Sequence, residues 1–204
     1  MIAIVDYGMG NLRSVQKALE HVGAEAVVTS DVAVIARAPA IVLPGVGAFG
    51  DAMINLRRLG LIEAIREAIA ARVPFLGICL GLQVLFEESQ EMGRHEGLGV
   101  FGGQVVRFPE QVGKVPHIGW NQIHIRRQSP LLAGVEDGDF AYFVHSYYVV
   151  PADPEIVLAT TDYGLDFASV VERDNVFGIQ FHPEKSQDVG LRMLRNFVEM
   201  VGGQ

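Results

Sequence analysis

Only one cysteine, Cys79, occurs in the chain. No internal disulfide can form, and a thiolate-based zinc site, which needs several sulfurs, is excluded. The six histidines (His21, His95, His117, His124, His145 and His182) show no ligand spacing such as H-x-x-x-H, so neither metal nor cofactor is expected. No apolar run approaches the ~20 residues of a membrane span. The opening MIAIVDYG is apolar but short, has no basic flank and is interrupted by Asp6. It is expected to be a buried strand rather than a signal peptide, in a cytoplasmic protein without membrane contact. Basic charge is scarce as well: 16 Lys and Arg against 24 Asp and Glu leave a net charge of -8. That argues against nucleic acid or anionic lipid as a partner. Phosphate loops are missing too. There is no G-x-x-x-x-G-K-[ST], and the turn Asp6-Tyr7-Gly8-Met9-Gly10-Asn11 breaks the G-x-G-x-x-G fingerprint, because its third glycine would fall at Arg13. Nucleotide binding is therefore rejected. Asn11 is better placed as a helix N-cap with an interface role.

What the chain does have is apolar material: 50% of its residues are hydrophobic, ample for a packed core. Strand-length apolar runs stand at residues 2–5, 26–29, 41–43 and 75–78. Helical patterns over 11–22, 49–59, 61–72 and 80–89 separate or follow them. This alternation predicts βαβ units and a mostly parallel, open, twisted sheet flanked by helices. From about residue 97 short strand-like runs take over, at 105–108, 122–126, 140–150, 155–159, 168–173 and 176–181. A tight turn is expected at Asp174-Asn175, and a helix over 189–201. The C-terminal half should thus add a smaller antiparallel sheet region. With no linker and no repeat, one α/β domain over 1–204 is expected.

The sharpest local signal is Gly77-Ile-Cys79-Leu-Gly81-Leu-Gln83. An apolar strand ends at Cys79 and a helical pattern begins at once, the cysteine version of a nucleophile elbow. Glycines two residues away on either side let such a turn close. The helix start favours thiolate and offers an oxyanion donor, the backbone N–H of Leu80. The plain alternative is a small buried hydrophobe. A base is needed, and Phe181-His182-Pro183-Glu184-Lys185 supplies one. Residues two apart in extended chain face the same way, so Glu184 can fix one nitrogen of His182 while the other faces the sulfur. The alternative there is an exposed loop histidine beside a solvated carboxylate. A second glycine-rich turn, Pro44-Gly45-Val46-Gly47-Ala48-Phe49-Gly50, follows the third strand. It can aim N–H groups at an oxyanion, or be an ordinary strand-to-helix turn.

Together GICLGLQ, LPGVGAFG and FHPEKS resemble the class I (triad) glutamine amidotransferases, in the family's order and over essentially the whole chain. DYGMGN, PHIGWNQI (116–123) and YFVHSYY (142–148) resemble most closely the branch that works with a cyclase subunit. The resemblance implies a Cys79-His182-Glu184 triad acting on glutamine through a thioester on Cys79. It implies an oxyanion site from Leu80 and the segment Gly45, Val46 and Gly47, and glutamine-binding positions at Gln83, Ser146 and Tyr147. It also implies a heterodimer with a (β/α)8-barrel cyclase that receives the ammonia, and interface positions at Asn11, His117, Trp120, Tyr142 and Lys185. For Trp120 and Tyr142, core packing is an equal alternative. Other triad amidotransferases, a lone γ-glutamyl hydrolase and a non-catalytic module on the same fold remain the rival functions.

Overall fold

A computed structural model describes residues 1–202. The strands of the N-terminal half are β1 (Ile2–Val5), β2 (Ala26–Thr29), β3 (Ile41–Gly45), β4 (Phe75–Cys79), β5 (Phe86–Ser89) and β6 (His95–Glu96). The helices among them are α1 (Leu12–His21), α2 (Val32–Arg37), α3 (Phe49–Arg58), α4 (Leu61–Ala70) and the short α5 (Leu80–Gln83). Then come β7 (Phe101–Arg107), β8 (His117–Gln122), β9 (His124–Ile125), β10 (Phe140–His145), β11 (Tyr147–Pro151), β12 (Val157–Asp162), β13 (Asp166–Arg173) and β14 (Val176–Ile179), and last the helix α6 (Gln187–Gly202).

Eight strands form the main sheet in the order β2-β1-β3-β4-β14-β13-β12-β9. The first five in that order are parallel, and β13, β12 and β9 extend the sheet antiparallel. Alternation along each parallel strand explains the three layers. Ala3 and Val5 of β1 pack into a core with α2, α3 and α4. Ile2 and Ile4 face the opposite core, with Val15 and Leu19 of α1 and Met193, Leu194 and Phe197 of α6. Both faces are covered, so these strands read as unbroken apolar runs.

The predicted α/β architecture with a mostly parallel sheet and flanking helices is the one observed. Several boundaries differ. The helix expected over 80–89 stops at Gln83, and Phe86–Ser89 is a strand. Val84, Leu85 and Phe86 are all fully buried, and the returning chain takes their carbonyls: Leu98 N–H donates to Val84, Val100 to Leu85 and Gly99 to Phe86. A continued helix would need those carbonyls for its own ladder. The run 140–150 is two strands in different sheets, broken at Ser146. β10 pairs with β8, and β11 with β7. The expected strand 122–126 is displaced: the ladder runs over His117–Gln122, and only His124 and Ile125 join the main sheet. In place of one smaller sheet there are two, of two and four strands. The larger includes a parallel β5–β7 pair. The helix α2, six residues over Val32–Arg37, is too short to carry an apolar stripe. Its start is set by Asp31, whose side chain accepts from Ala33 N–H.

The turn at Asp174-Asn175 joins β13 to β14 as expected, with Arg173 opposite Val176. It also locks the roots of two neighbouring strands. Asn175 Nδ2 donates to Ile69 O (3.2 Å) and Val73 O (2.7 Å), and Phe75 N–H donates to Asn175 O (2.9 Å). β4 and β14 therefore start in fixed register, which matters because their far ends lead to Cys79 and His182. Asn175→Ala should lower stability by about 1–3 kcal/mol. A drop in the urea midpoint with an unchanged slope would show it.

Candidate active site

The turn at Cys79 is strained. It is a non-glycine residue at φ 56° and ψ -110°, the last residue of β4 and immediately before the first of α5. Such a backbone costs on the order of 1–3 kcal/mol and persists only when its surroundings hold it. The flanking glycines show what holds it. A Cβ on Gly81 would collide with Leu43 O, and one on Gly77 would lie 2.6 Å from Gly81 O. The helix thus presses its first turn directly against β3 and β4. Gly45, the last paired residue of β3, sits in register with Cys79. The sulfur is buried with the residue 6% exposed, and its polar neighbours are Gln180 Nε2 at 3.8 Å and Val144 O at 3.9 Å.

β14 brings the imidazole. It ends at Ile179, the chain continues through Gln180 and Phe181, and His182 opens a single helical turn over Pro183–Lys185. Three bonds fix that turn. His182 N–H donates to Tyr142 O (3.0 Å), Ser186 Oγ–H donates to His182 O (2.7 Å), and Tyr142 N–H donates to Ser186 Oγ (2.9 Å). His182 Nδ1 lies 2.8 Å from Glu184 Oε1, with side chains 4% and 1% exposed. With Nδ1 committed to the carboxylate, Nε2 is the nitrogen left for the sulfur. Burial opposes a charge on the ring, but Cys79 first and Glu184 next outweigh it and raise the pKa to about 10. These two partners therefore favour the charged form of the ring.

A cavity of about 250 Å3 opens beside Cys79 and His182. It is smaller than the roughly 300–1,000 Å3 of drug-sized sites and suits a single amino acid. Val46, Gly47, Leu80, Gln83, Ser146, Tyr147 and Lys185 line it, together with Glu91, Val144 and His145. Gln83 is held by Nε2, which donates to Tyr147 O (3.0 Å) and to Gln180 Oε1 (3.2 Å). Gln180, fully buried between Gln83 and Cys79, was not singled out from sequence, although it stands two residues before His182 in the same motif. Glu91 was also missed; its Oε2 accepts from Phe49 N–H at the start of α3 (2.7 Å).

Two further histidines lie under the cavity. His145 Nδ1 faces Tyr147 O at 2.8 Å, so it must carry the hydrogen. His145 Nε2 then accepts from His117 Nδ1–H (3.0 Å), and His117 Nε2 accepts from Asn121 Nδ2 (3.2 Å). The chain is satisfied only with both rings neutral. Burial likewise lowers His117 to about 4 and His145 to about 3, the latter helped by the charges of His117 and His182.

The expected interface positions divide. Trp120 is 47% exposed, Lys185 is exposed, and Asn11 and Tyr142 are half-buried. The Trp120 and Tyr142 rings meet edge to face across the β8–β10 ribbon, 5.8 Å apart. They do not pack in the core. His117 is the correction: at 3% exposed it turns inward, because alternation along β8 sends 118, 120 and 122 outward and 117 inward. Asn11 holds the N-cap position of α1, but its side chain caps no backbone N–H; Oδ1 accepts from Ser14 Oγ instead (3.0 Å).

Two titrations follow. The His182 imidazole followed by NMR should titrate near pH 10, and Cys79→Ala, which removes the sulfur beside the ring, should bring the midpoint down. Because the folded value is raised, the stability this group contributes is full below its unfolded pKa of about 6.5 and lost as pH rises through 10. His117 and His145 have the opposite sign. Their folded values are depressed, so their contribution is present above about 6.5 and is lost as pH falls toward 4 and 3. Unfolding at pH 5 should take up about two protons through these rings, measurable by calorimetry in buffers of different ionisation enthalpy.

The family model "Glutamine amidotransferase class-I" matches residues 3–201. The chain is 58% identical to the imidazole glycerol phosphate synthase subunit HisH of Syntrophotalea carbinolica, covering 98% of this chain and 100% of that protein. It is also 58% identical to the same subunit of Aquifex aeolicus, over 95% and 94%. Among solved structures, a glutamine amidotransferase superposes with a TM-score of 0.78 at 21% identity, covering 99% of this chain and all of the other. The PurLQS structure from Thermotoga maritima contains a chain with a TM-score of 0.74 at 20% identity, over 99% and 97%. At such identities these two speak for the fold alone. The family match over nearly the whole chain and the high identity to full-length relatives decide the matter: this chain belongs to the class-I glutamine amidotransferase family.

Proposed function

We infer that this chain is the glutaminase subunit of an imidazole glycerol phosphate synthase, acting as one domain in a cytoplasmic heterodimer and needing no cofactor. The convergence of Cys79, His182 and Glu184 beside an amino-acid-sized cavity is the observation that carries the assignment of the chemistry.

In this mechanism glutamine enters the cavity with its carboxamide over Cys79. Gln83 and the junction of β10 and β11 at Ser146 and Tyr147 hold it. The sulfur adds to the amide carbon. The oxygen that gains charge is met by backbone N–H groups of Leu80 and of the Gly45, Val46 and Gly47 segment, fixed dipoles that need no reorganisation. His182 gives its proton to the departing nitrogen, and the C–N bond breaks to leave a γ-glutamyl thioester and ammonia. Water then adds to the thioester, with His182 taking the proton, and glutamate leaves with the thiol restored. Glu184 holds the ring in the tautomer and orientation these transfers need.

The partner is a (β/α)8-barrel cyclase subunit, which takes the ammonia together with a phosphoribulosyl aminoimidazole carboxamide substrate. Its products are imidazole glycerol phosphate and an aminoimidazole carboxamide ribotide. The ribbon of β8 and β10 supports a partner seat here. Ile118, Trp120 and Phe140 are 57%, 47% and 52% exposed on one face of it, an apolar cluster of the kind that marks protein contacts. Val144, opposite Ile118, and Lys185 also line the cavity, so the site opens beside this face. Asn11, Tyr142 and Lys185 complete the contact, with His117 supporting β8 from below.

Mixed with its cyclase partner and that partner's substrate, the chain should release glutamate from glutamine. Cys79→Ala should abolish glutamine-dependent synthesis by at least about 10³-fold and leave ammonia-dependent synthesis intact. Retention of glutamine use by the variant would eliminate the thioester route.

A further inference from the structure

Gln180 follows the last residue of β14, two positions before His182, and is fully buried. Its backbone is tied to the neighbouring strand, with Gln180 N–H donating to Ser169 O of β13 (2.9 Å). Residues two apart in extended chain face the same way. The Gln180 side chain accordingly follows His182 toward the sulfur, where Nε2 lies 3.8 Å from Cys79 Sγ. Gln180 does not line the cavity. It is therefore no contact for glutamine, and an amide in a fully buried place needs another reason.

A backbone carbonyl fixes the direction of this amide. Tyr147 O accepts from Gln83 Nε2 (3.0 Å), so Gln83 presents its nitrogen there. The same nitrogen lies 3.2 Å from the Gln180 amide, which must offer Oε1 to it. The reverse would set two NH2 groups face to face. Gln180 Nε2 is left for Cys79, and among the described residues the sulfur is its only hydrogen-bond partner. A carboxylate in this place would only accept, and an apolar side chain would do neither. An amide accepts at one end and donates at the other.

The sulfur thus meets two neutral dipoles of opposite sense. Val144 O, at 3.9 Å, can only accept, from a thiol S–H. Gln180 Nε2–H donates, and a donor favours the negative sulfur, the form that attacks. The titratable groups facing the sulfur are His182, from the turn after β14, and Tyr7, from the turn after β1. Glu91, His145 and Lys185 line the same cavity.

We propose that Gln180 is a further catalytic residue, its side-chain N–H holding the negative sulfur of Cys79 before attack and receiving that charge again when the thioester is cleaved. In the second step water adds to the thioester carbon and His182 takes its proton. The C–S bond then breaks and its electron pair returns to sulfur. A donor already aimed at that atom needs no reorganisation. The proposal rests on the glutaminase assignment above, but the state of the sulfur can be read without glutamine.

Gln180→Met removes the donor and keeps the bulk. Alkylation of Cys79 by iodoacetamide in the full chain, followed against pH, reads the sulfur directly. The profile should move to higher pH, with a rate near neutrality lower by roughly tenfold. The plateau in alkali should equal or exceed the parent's, since a thiolate without its donor is the stronger nucleophile. In the complex with the cyclase and its substrate, kcat for glutamate release should fall by roughly tenfold. KM for glutamine should move less, because Gln83 keeps its bond to Tyr147 O. An unmoved alkylation profile would overturn the proposal. A plateau below the parent's would do the same, since it would report lost access to the sulfur. So would a raised KM with kcat intact, which would leave Gln180 as a support for Gln83 alone. Should the variant not fold, the parent chain decides. Its Gln180 side-chain amide protons, followed by NMR, should shift as the sulfur ionises and lose that response in Cys79→Ala. Amide protons indifferent to the sulfur would equally reject the donor. A parent complex that released no glutamate would instead remove the glutaminase assignment and leave the alkylation result standing, so the two failures are separable.

Discussion

The approach of α5 to the ends of β3 and β4 is the constraint on which the rest of the site depends. With no side chain at Gly81, the first turn of the helix can touch the Leu43 carbonyl, and with none at Gly77 the strand can pass beneath it. Only this closeness holds Cys79 at positive φ. It also places β4 as the pivot of the sheet. Gly45 of β3 stands in register on one side, and β14 runs parallel on the other, so the backbone donors and the imidazole approach the sulfur from opposite flanks. One local backbone shape thereby brings together groups that no single motif encodes.

Burial acts in two directions within a small volume. It pushes His117 and His145 down, and left alone it would do the same to His182. The difference lies in the partners. His117 and His145 bond each other, Asn121 and a carbonyl, a chain of neutral dipoles with no anion in it. His182 faces a sulfur and a carboxylate. Among three imidazoles close together, only the one beside the sulfur and the carboxylate has its charged form favoured. The neutral pair beneath also ties the Tyr147 carbonyl, which in turn holds Gln83. The same hydrogen bonds that keep those rings uncharged shape the cavity wall.

Much of this was legible in the sequence because the strongest signals are local. The elbow glycines, the alternating apolar runs and the two-residue offset of His182 and Glu184 are short-range patterns, and each maps onto a short-range geometry. What escaped depends on pairing between distant segments. Val84-Leu85-Phe86 is apolar in a way that fits helix or strand, and only the return of residues 97–101 decides between them. The face of β8 that carries His117 cannot be chosen before its register with β10 is known, since a shift by one residue exchanges inside and outside. Gln180 gave no signal of its own. It is a polar group in an apolar run, and its meaning comes from the sulfur and the Gln83 amide it lies between.

β10 draws these levels together. Its outward residues, Phe140 and Tyr142, belong to the exposed ribbon, its inward residues Phe143 and His145 to the core, and Val144 to the cavity wall. The backbone of Tyr142 is also bonded at both ends to the turn that presents His182. A protein seated on the ribbon would press on the strand that bounds the cavity and anchors the imidazole. No separate signalling element is then required between a docking surface and the chemistry. Phe140, Tyr142 and Val144 alternate onto one side of β10, so the surface a partner would cover runs directly into the cavity wall, and any force that orders one must be felt by the other.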